Sequence, residues 1–323
     1  MAALCLAGTL WAGASQIDDQ LSAKRRVFKG VGPGLRAVRA GADGKYYVLV
    51  SPGSVQVFDA HEKLLAKIPD YGENVRPVSP ELAGIQFGED MDVASNGTVY
   101  VADRGANAVK VWDAAGSAHL IRIAGPLSLA ALPQGEVAVS TLHEQHLVTV
   151  FAANGRIARE FGDPEPLSAR DDLDRYLSLG HVVSDAQGRI YYGYTYLPEP
   201  RVRQYDRFGY AGLDFEFTGL DAFPEAQAAR KEIEKQEKKP GAPIFQPVLT
   251  AFGVDRVNGD VWMVLHNTLL HFDKEGNRRS EYQIYTNDGA RLDATLILVD
   301  EERLLIGADP QGLFEFQRPD RKH

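Results

Sequence analysis

The side chains best suited to chemistry in this chain are histidines, carboxylates and tyrosines scattered far apart along the sequence. His143 and His146 stand three residues apart. On a helix that spacing puts two imidazoles on one face, as a zinc site needs. Here the pair spans a turn between two strand-like runs, which points to solvent-facing histidines. No G-x-S-x-G, H-E-x-x-H or phosphate-loop glycine pattern occurs, so nucleophilic, zinc-protease and nucleotide chemistries have no support. The single cysteine, Cys5, rules out a disulfide framework or a cysteine zinc cluster. What remains is a polar and aromatic set with no catalytic member: Arg104, Asn107, His143, His146, His181, Tyr194, Tyr196, His266, Asn267 and Asp309. Such a set can recognise a ligand only if the fold gathers it on one surface.

The elements that would gather it come from an internal repeat. A tight turn recurs between two β-type runs at Asp43-Gly44, Asn96-Gly97, Gln134-Gly135, Gln187-Gly188 and Asn258-Gly259. Glycine in such pairs supplies the positive φ of a two-residue hairpin. An aromatic residue then ends a later strand at Phe58, Trp112, Phe151, Tyr205, Phe272 and Phe316. From turn glycine to aromatic the gaps are 14 (44 to 58), 15 (97 to 112), 16 (135 to 151), 17 (188 to 205) and 13 (259 to 272), a narrow spread in repeats of unequal length. Between the markers the runs are rich in β-branched and aromatic residues, as in Tyr46-Val50 and Arg189-Tyr194.

Each repeat thus reads as four antiparallel strands. A lone sheet of that kind leaves one face uncovered, so neighbours must stack around an axis. The expected architecture is an all-β, six-bladed β-propeller over residues 22–319, with blades near 36–69, 88–125, 126–162, 180–218, 250–285 and 293–318. The last repeat supplies three strands, and residues 25–30 are expected to complete it as an N-terminal strand, closing the ring. Residues 1–14 are apolar and end in Ala12-Gly13-Ala14, the small-x-small form of a signal-peptidase site. That pattern implies an exported chain, periplasmic or extracellular. The stretch is too short for a transmembrane helix, which needs about 20 apolar residues.

Residues 88–116 (GEDMDVASNGTVYVADRGANAVKVWDAAG) carry the most specific signal. Gly97, Val99 to Asp103, Asn107, Trp112-Asp113 and Gly116 resemble the NHL repeat. The resemblance is sharp in this one blade and holds elsewhere only as a frame. It implies a six-bladed propeller that binds protein, peptide, RNA or carbohydrate through its faces, with a minority of lyases and lactonases.

In such a ring the connections from outermost strand to next innermost strand share a face with the loops between second and third strands. The first kind is long here at 70–90, 162–180 and 218–250, and the last contains an expected helical insertion at 221–240, with Pro224 in its first turn and Pro240-Gly241 beyond it. One face is therefore loop-rich, and a protein, peptide or glycan ligand is expected there. The formal net charge of −9 and the lack of a basic stripe exclude nucleic acid. A monomer without cofactor is expected. The enzymatic alternative that the resemblance implies is a metal-dependent lactonase or lyase holding a divalent cation such as Ca or Zn in the channel, and its inner-strand candidates are Asp90, Asp92, His181 and Asp293.

Overall fold

A computed structural model describes residues 19–70, 79–141, 143–217, 224–238, 241 and 244–321. The apolar segment 1–14 lies outside these residues. Two short strands open the described chain, β1 (Asp19–Ser22) and β2 (Arg25–Val27). Blade one follows as β3 (Leu35–Ala40), β4 (Tyr46–Val50), β5 (Ser54–Phe58) and β6 (Leu64–Ile68), and blade two as β7 (Gly88–Val93), β8 (Val99–Asp103), β9 (Ala108–Trp112) and β10 (Ala118–Arg122). Blade three comprises β11 (Pro126–Ala131), β12 (Val137–Thr141), β13 (Val148–Phe151) and β14 (Ile157–Phe161). Helix α1 (Asp171–Leu177) leads into blade four, made of β15 (Gly180–Ser184), β16 (Ile190–Tyr194), β17 (Arg201–Tyr205) and β18 (Ala211–Glu216). Helix α2 (Pro224–Lys238) precedes blade five, made of β19 (Ala251–Val254), β20 (Val261–Leu265), β21 (Thr268–Phe272) and β22 (Arg278–Tyr285). Blade six adds β23 (Leu296–Val299), β24 (Arg303–Ala308) and β25 (Gly312–Gln317).

The described residues form six sheets, and β1 and β2 lock two of them. Strand β2 pairs antiparallel with β25, Val27 opposite Leu313, and so supplies the fourth strand of blade six. Strand β1 lies parallel on the outer edge of β22, Asp19 opposite Tyr282. That second clasp was not legible in the sequence, nor was α1. Covering both edges removes unpaired backbone that would otherwise recruit other chains.

The turn glycines do what the hairpins need: Gly44, Gly97, Gly135, Gly188 and Gly259 have φ between 75° and 86°. Hydrophobic clusters fill the wedges between blades. Leu49, Met91 and Val101 join blades one and two; Ala102, Leu129 and Val139 join two and three; Trp262, Ile306 and Phe316 join five and six. Burying each such side chain contributes about 1.5–3 kcal/mol. Gly193, opposite His181 across β15–β16, leaves space for the Phe252 ring of blade five, which a Cβ would meet at 2.5 Å.

Candidate binding site at the mouth of the central channel

The six innermost strands β3, β7, β11, β15, β19 and β23 face the axis. Three of them, in consecutive blades, carry a β-bulge at the second residue, between Leu35 and Ala37, Gly88 and Asp90, and Pro126 and Ser128. A bulge re-aims the side chain of the extra residue. Arg36 and Glu89 line the upper cavity of the channel, at the end where the long loops gather. In blade four the ladder runs without a bulge, and His181 is presented by ordinary strand alternation.

Arg39 divides the channel. It borders both an upper cavity of about 60 Å³, with Arg36, Glu89, Asp90 and His181, and a lower one of about 30 Å³, with Asp92 and Arg256. Its Nη2 donates to Asp90 Oδ1 at 2.7 Å, and its Nε is 3.7 Å from Asp92 Oδ1. Asp92 also accepts from Arg256 Nη2 at 3.0 Å and from the backbone N–H groups of Val93 and Ala131. Asp90 accepts from the Ser128 hydroxyl and the Met91 N–H, and Ser128 Oγ accepts from Val182 N–H at 3.0 Å. Blades one to five are thus stitched at the axis by bonds that use the carboxylates fully.

His181 is reached by water through the channel yet ringed by protein atoms. Desolvation lowers its pKa, Asp90 pulls the other way and Arg39 adds to the lowering. The imidazole is therefore neutral at pH 7.

The rim is set by the most motif-like part of the sequence. Asp103, fully buried, accepts from the N–H groups of Gln86 and Phe87 at 2.8 and 2.9 Å and pairs with the equally buried Lys110. Burial opposes ionisation of Asp103, but the Lys110 ammonium and the two N–H groups outweigh it and hold the carboxyl below its ordinary range. This anchor fixes the turn carrying Phe87, whose ring is 39% exposed. The Arg104 guanidinium lies 4.6 Å from the centre of that ring and Arg36 5.8 Å. Arg104 Nε also meets Glu89 Oε1 at 2.9 Å. Burial raises the Glu89 pKa against the opposing pull of Arg104 and Arg36. Tyr196 stands near this pair; burial, then its neighbour Tyr176, pushes its hydroxyl up to about 12. Tyr176 packs on Tyr196 at 5.2 Å and on Phe245 at 5.7 Å.

The remaining candidates from the sequence are not all brought here. Arg104 and Tyr196 belong to the mouth and His181 to the channel. Asn107 adopts the left-handed conformation (φ 47°), and its Oδ1 accepts from Gly125 N–H, a turn-forming role. Tyr194 is buried, its hydroxyl bonded to Glu165 and Arg203, and burial raises its pKa. His143 is exposed, and His146 Nδ1 lies 3.4 Å from Asp163. His266 bonds the Pro247 carbonyl at 3.0 Å and lies 3.9 Å from Glu225, steadying the first turn of α2. Asn267 bonds Gln283, and Asp309 accepts from Gly34 N–H at 2.9 Å.

Of the four metal candidates, Asp293 precedes β23, is exposed and pairs with Arg291 at 2.8 Å, while Asp90 and Asp92 are taken by guanidiniums. This donor set does not fit a divalent cation. A separate cluster brings Asp260, His271 and Asp320 within 4.8 Å of one another, with Asp320 engaged by Arg318 at 2.6 Å. Sequence reading missed Arg36, Arg39, Phe87 and Glu89. One signal was present: Arg39 and Asp92 stand at the same step of adjacent inner strands, four after Leu35 and four after Gly88, with opposite charge.

No family model matches the chain, and no curated protein matches it by sequence. Solved structures share the fold. A streptogramin B lyase is 14% identical at a TM-score of 0.54, covering 89% of this chain and 84% of that one. Virginiamycin B lyase from Staphylococcus aureus is 11% identical at 0.52, covering 91% and 87%. Regucalcin, a calcium-binding protein from Agrobacterium tumefaciens, is 13% identical at 0.53, covering 93% and 96%.

Proposed function

We propose that this chain is an exported propeller of the NHL kind that recognises a protein, peptide or glycan at the loop-rich mouth of its channel. The observation that carries the reading is the contrast along the axis. Below, Arg39, Asp90, Asp92 and Arg256 satisfy one another and leave no open cation cup. Above, an exposed aromatic ring, two guanidiniums, a carboxylate and a tyrosine hydroxyl converge on solvent. Mixed apolar and polar groups in one concavity are the usual make-up of a recognition site. The apolar residues 1–14 support export.

The enzymatic alternative needs a divalent ion on Asp90, Asp92 and His181, and the Arg39 guanidinium stands where that charge would be. Arrays of short peptides and of oligosaccharides, probed with the purified chain and with Phe87→Ala and Arg104→Ala, test the reading. Capture that both variants weaken at least tenfold supports it. Capture indifferent to both variants, or a stoichiometric metal whose chelation lowers the unfolding midpoint, sinks it.

A further inference from the structure

We infer that the mouth of the channel recognises a single carboxylate on its ligand, and that Arg36 is the residue that receives it. This deepens the reading above and rests on it. The chain carries a net charge of −9. Along the axis that excess is absent: Arg36, Arg39 and Arg256 line the two cavities with Glu89, Asp90 and Asp92, and Arg104 stands at the rim. The mouth is thus spared the acidic field that would turn an anion away.

Three of those guanidiniums are committed. Arg39 is bound to Asp90 at 2.7 Å, Arg104 to Glu89 at 2.9 Å and Arg256 to Asp92 at 3.0 Å. Among the described residues no carboxylate comes within 4 Å of Arg36. Its side chain is turned into the upper cavity by the bulge of β3 and steadied at 5.8 Å from the Phe87 ring. A planar fork is the geometry that takes a carboxylate in two parallel hydrogen bonds. The cavity of about 60 Å³ has room for a carboxylate head and not for a whole ligand, so the remainder would lie outward against Phe87.

The other walls set the selectivity. His181 and Thr295 line the same cavity and offer uncharged hydrogen-bond donors to the second carboxylate oxygen. Glu89 and Asp90 line it as well, and they oppose any second negative charge. A monocarboxylate is accommodated and a phosphate dianion is rejected. The carboxylate could belong to a free small acid or to the C-terminus of a peptide.

The test uses the whole chain with histidine-labelled imidazoles, His181 being assigned through His181→Gln. Benzoate, benzamide and inorganic phosphate are titrated while the His181 resonance is followed. Paired peptides ending in phenylalanine, with free or amidated C-termini, separate the two sources. Benzoate is expected to shift the His181 resonance and raise its titration midpoint, since an added anion favours the imidazolium. Benzamide and phosphate are expected to do neither. Arg36→Gln, at an exposed position, should keep the unfolding midpoint and weaken the benzoate response at least tenfold, with partial recovery in Arg36→Lys. Equal responses to benzoate and benzamide, or a benzoate response unchanged in Arg36→Gln, would overturn the carboxylate assignment and leave the mouth standing as a site. Silence toward every probe overturns the assignment too, and the array experiment then decides the mouth separately.

Discussion

Asp103 and Lys110 meet diagonally across β8 and β9, with Oδ2 and Nζ 2.7 Å apart and neither side chain reached by water. Lys110 Nζ also donates to the Gly84 carbonyl. This pair ties the floor of blade two to the turn carrying Phe87, so the recognition rim depends on a buried charge. Asp103→Ala strands the ammonium and should cost about 3–5 kcal/mol, the scale for breaking a buried pair. Urea unfolding measures it, and a loss below about 1 kcal/mol would show that the pair is not the anchor. Replacing both residues by Leu and Met should cost less than the sum of the single changes.

Arg39→Leu removes the guanidinium that divides the channel, taking from Asp90 its ion-pair partner and leaving Asp92 paired with Arg256 alone. The expected loss is about 3 kcal/mol or more at pH 7. Arg39→Lys, which keeps the charge, should recover part of it. Equal losses in thermal midpoint for the two variants would mean that shape and packing, not charge, dominate there.

The depressed pKa of His181 has a signed consequence. An unfolded histidine titrates near about 6.5, so between that value and the lower folded one the unfolded chain binds more protons. Stability therefore falls as pH drops below about 6.5. In His181→Gln the fall between pH 6.5 and 5.5 should be shallower than in the parent chain. Coincident pH profiles for the two proteins would disprove the assignment.

Val27 is buried in the wedge between blades six and one, with Phe28, Leu35 and Leu313. Val27→Asp places a charge in that wedge and unzips β2. It should lower the unfolding midpoint and raise amide exchange selectively in β25, the strand that β2 covers. Uniform exchange throughout the ring would argue against a separate closing step.

The fold was legible because hairpin glycines and strand-ending aromatics are local requirements that recur even when loops vary. Gly97 and Trp112 mark their blade by type and spacing alone. The mouth was less legible. Arg36 and Glu89 enter it through bulges, which depend on cross-strand register and leave no mark in a single strand. Tyr194 and Asn107 have the side chains of a binding site, but one is consumed by Glu165 and Arg203 and the other by a left-handed turn. Asp103 and Arg104 are adjacent in sequence and serve different ends, one inward to Lys110 and the other outward to Phe87 and Glu89.

Blade six is closed by partners far apart in sequence; Arg25 donates to Glu315 across 290 positions. Loop-closure entropy makes so distant a pairing the slowest contact to find. During synthesis β1 and β2 must therefore wait, unpaired, until β22 and β25 have emerged. The circle is an open arc for most of its making, and a short peptide mimicking residues 19–27 should compete for its vacant edge during refolding.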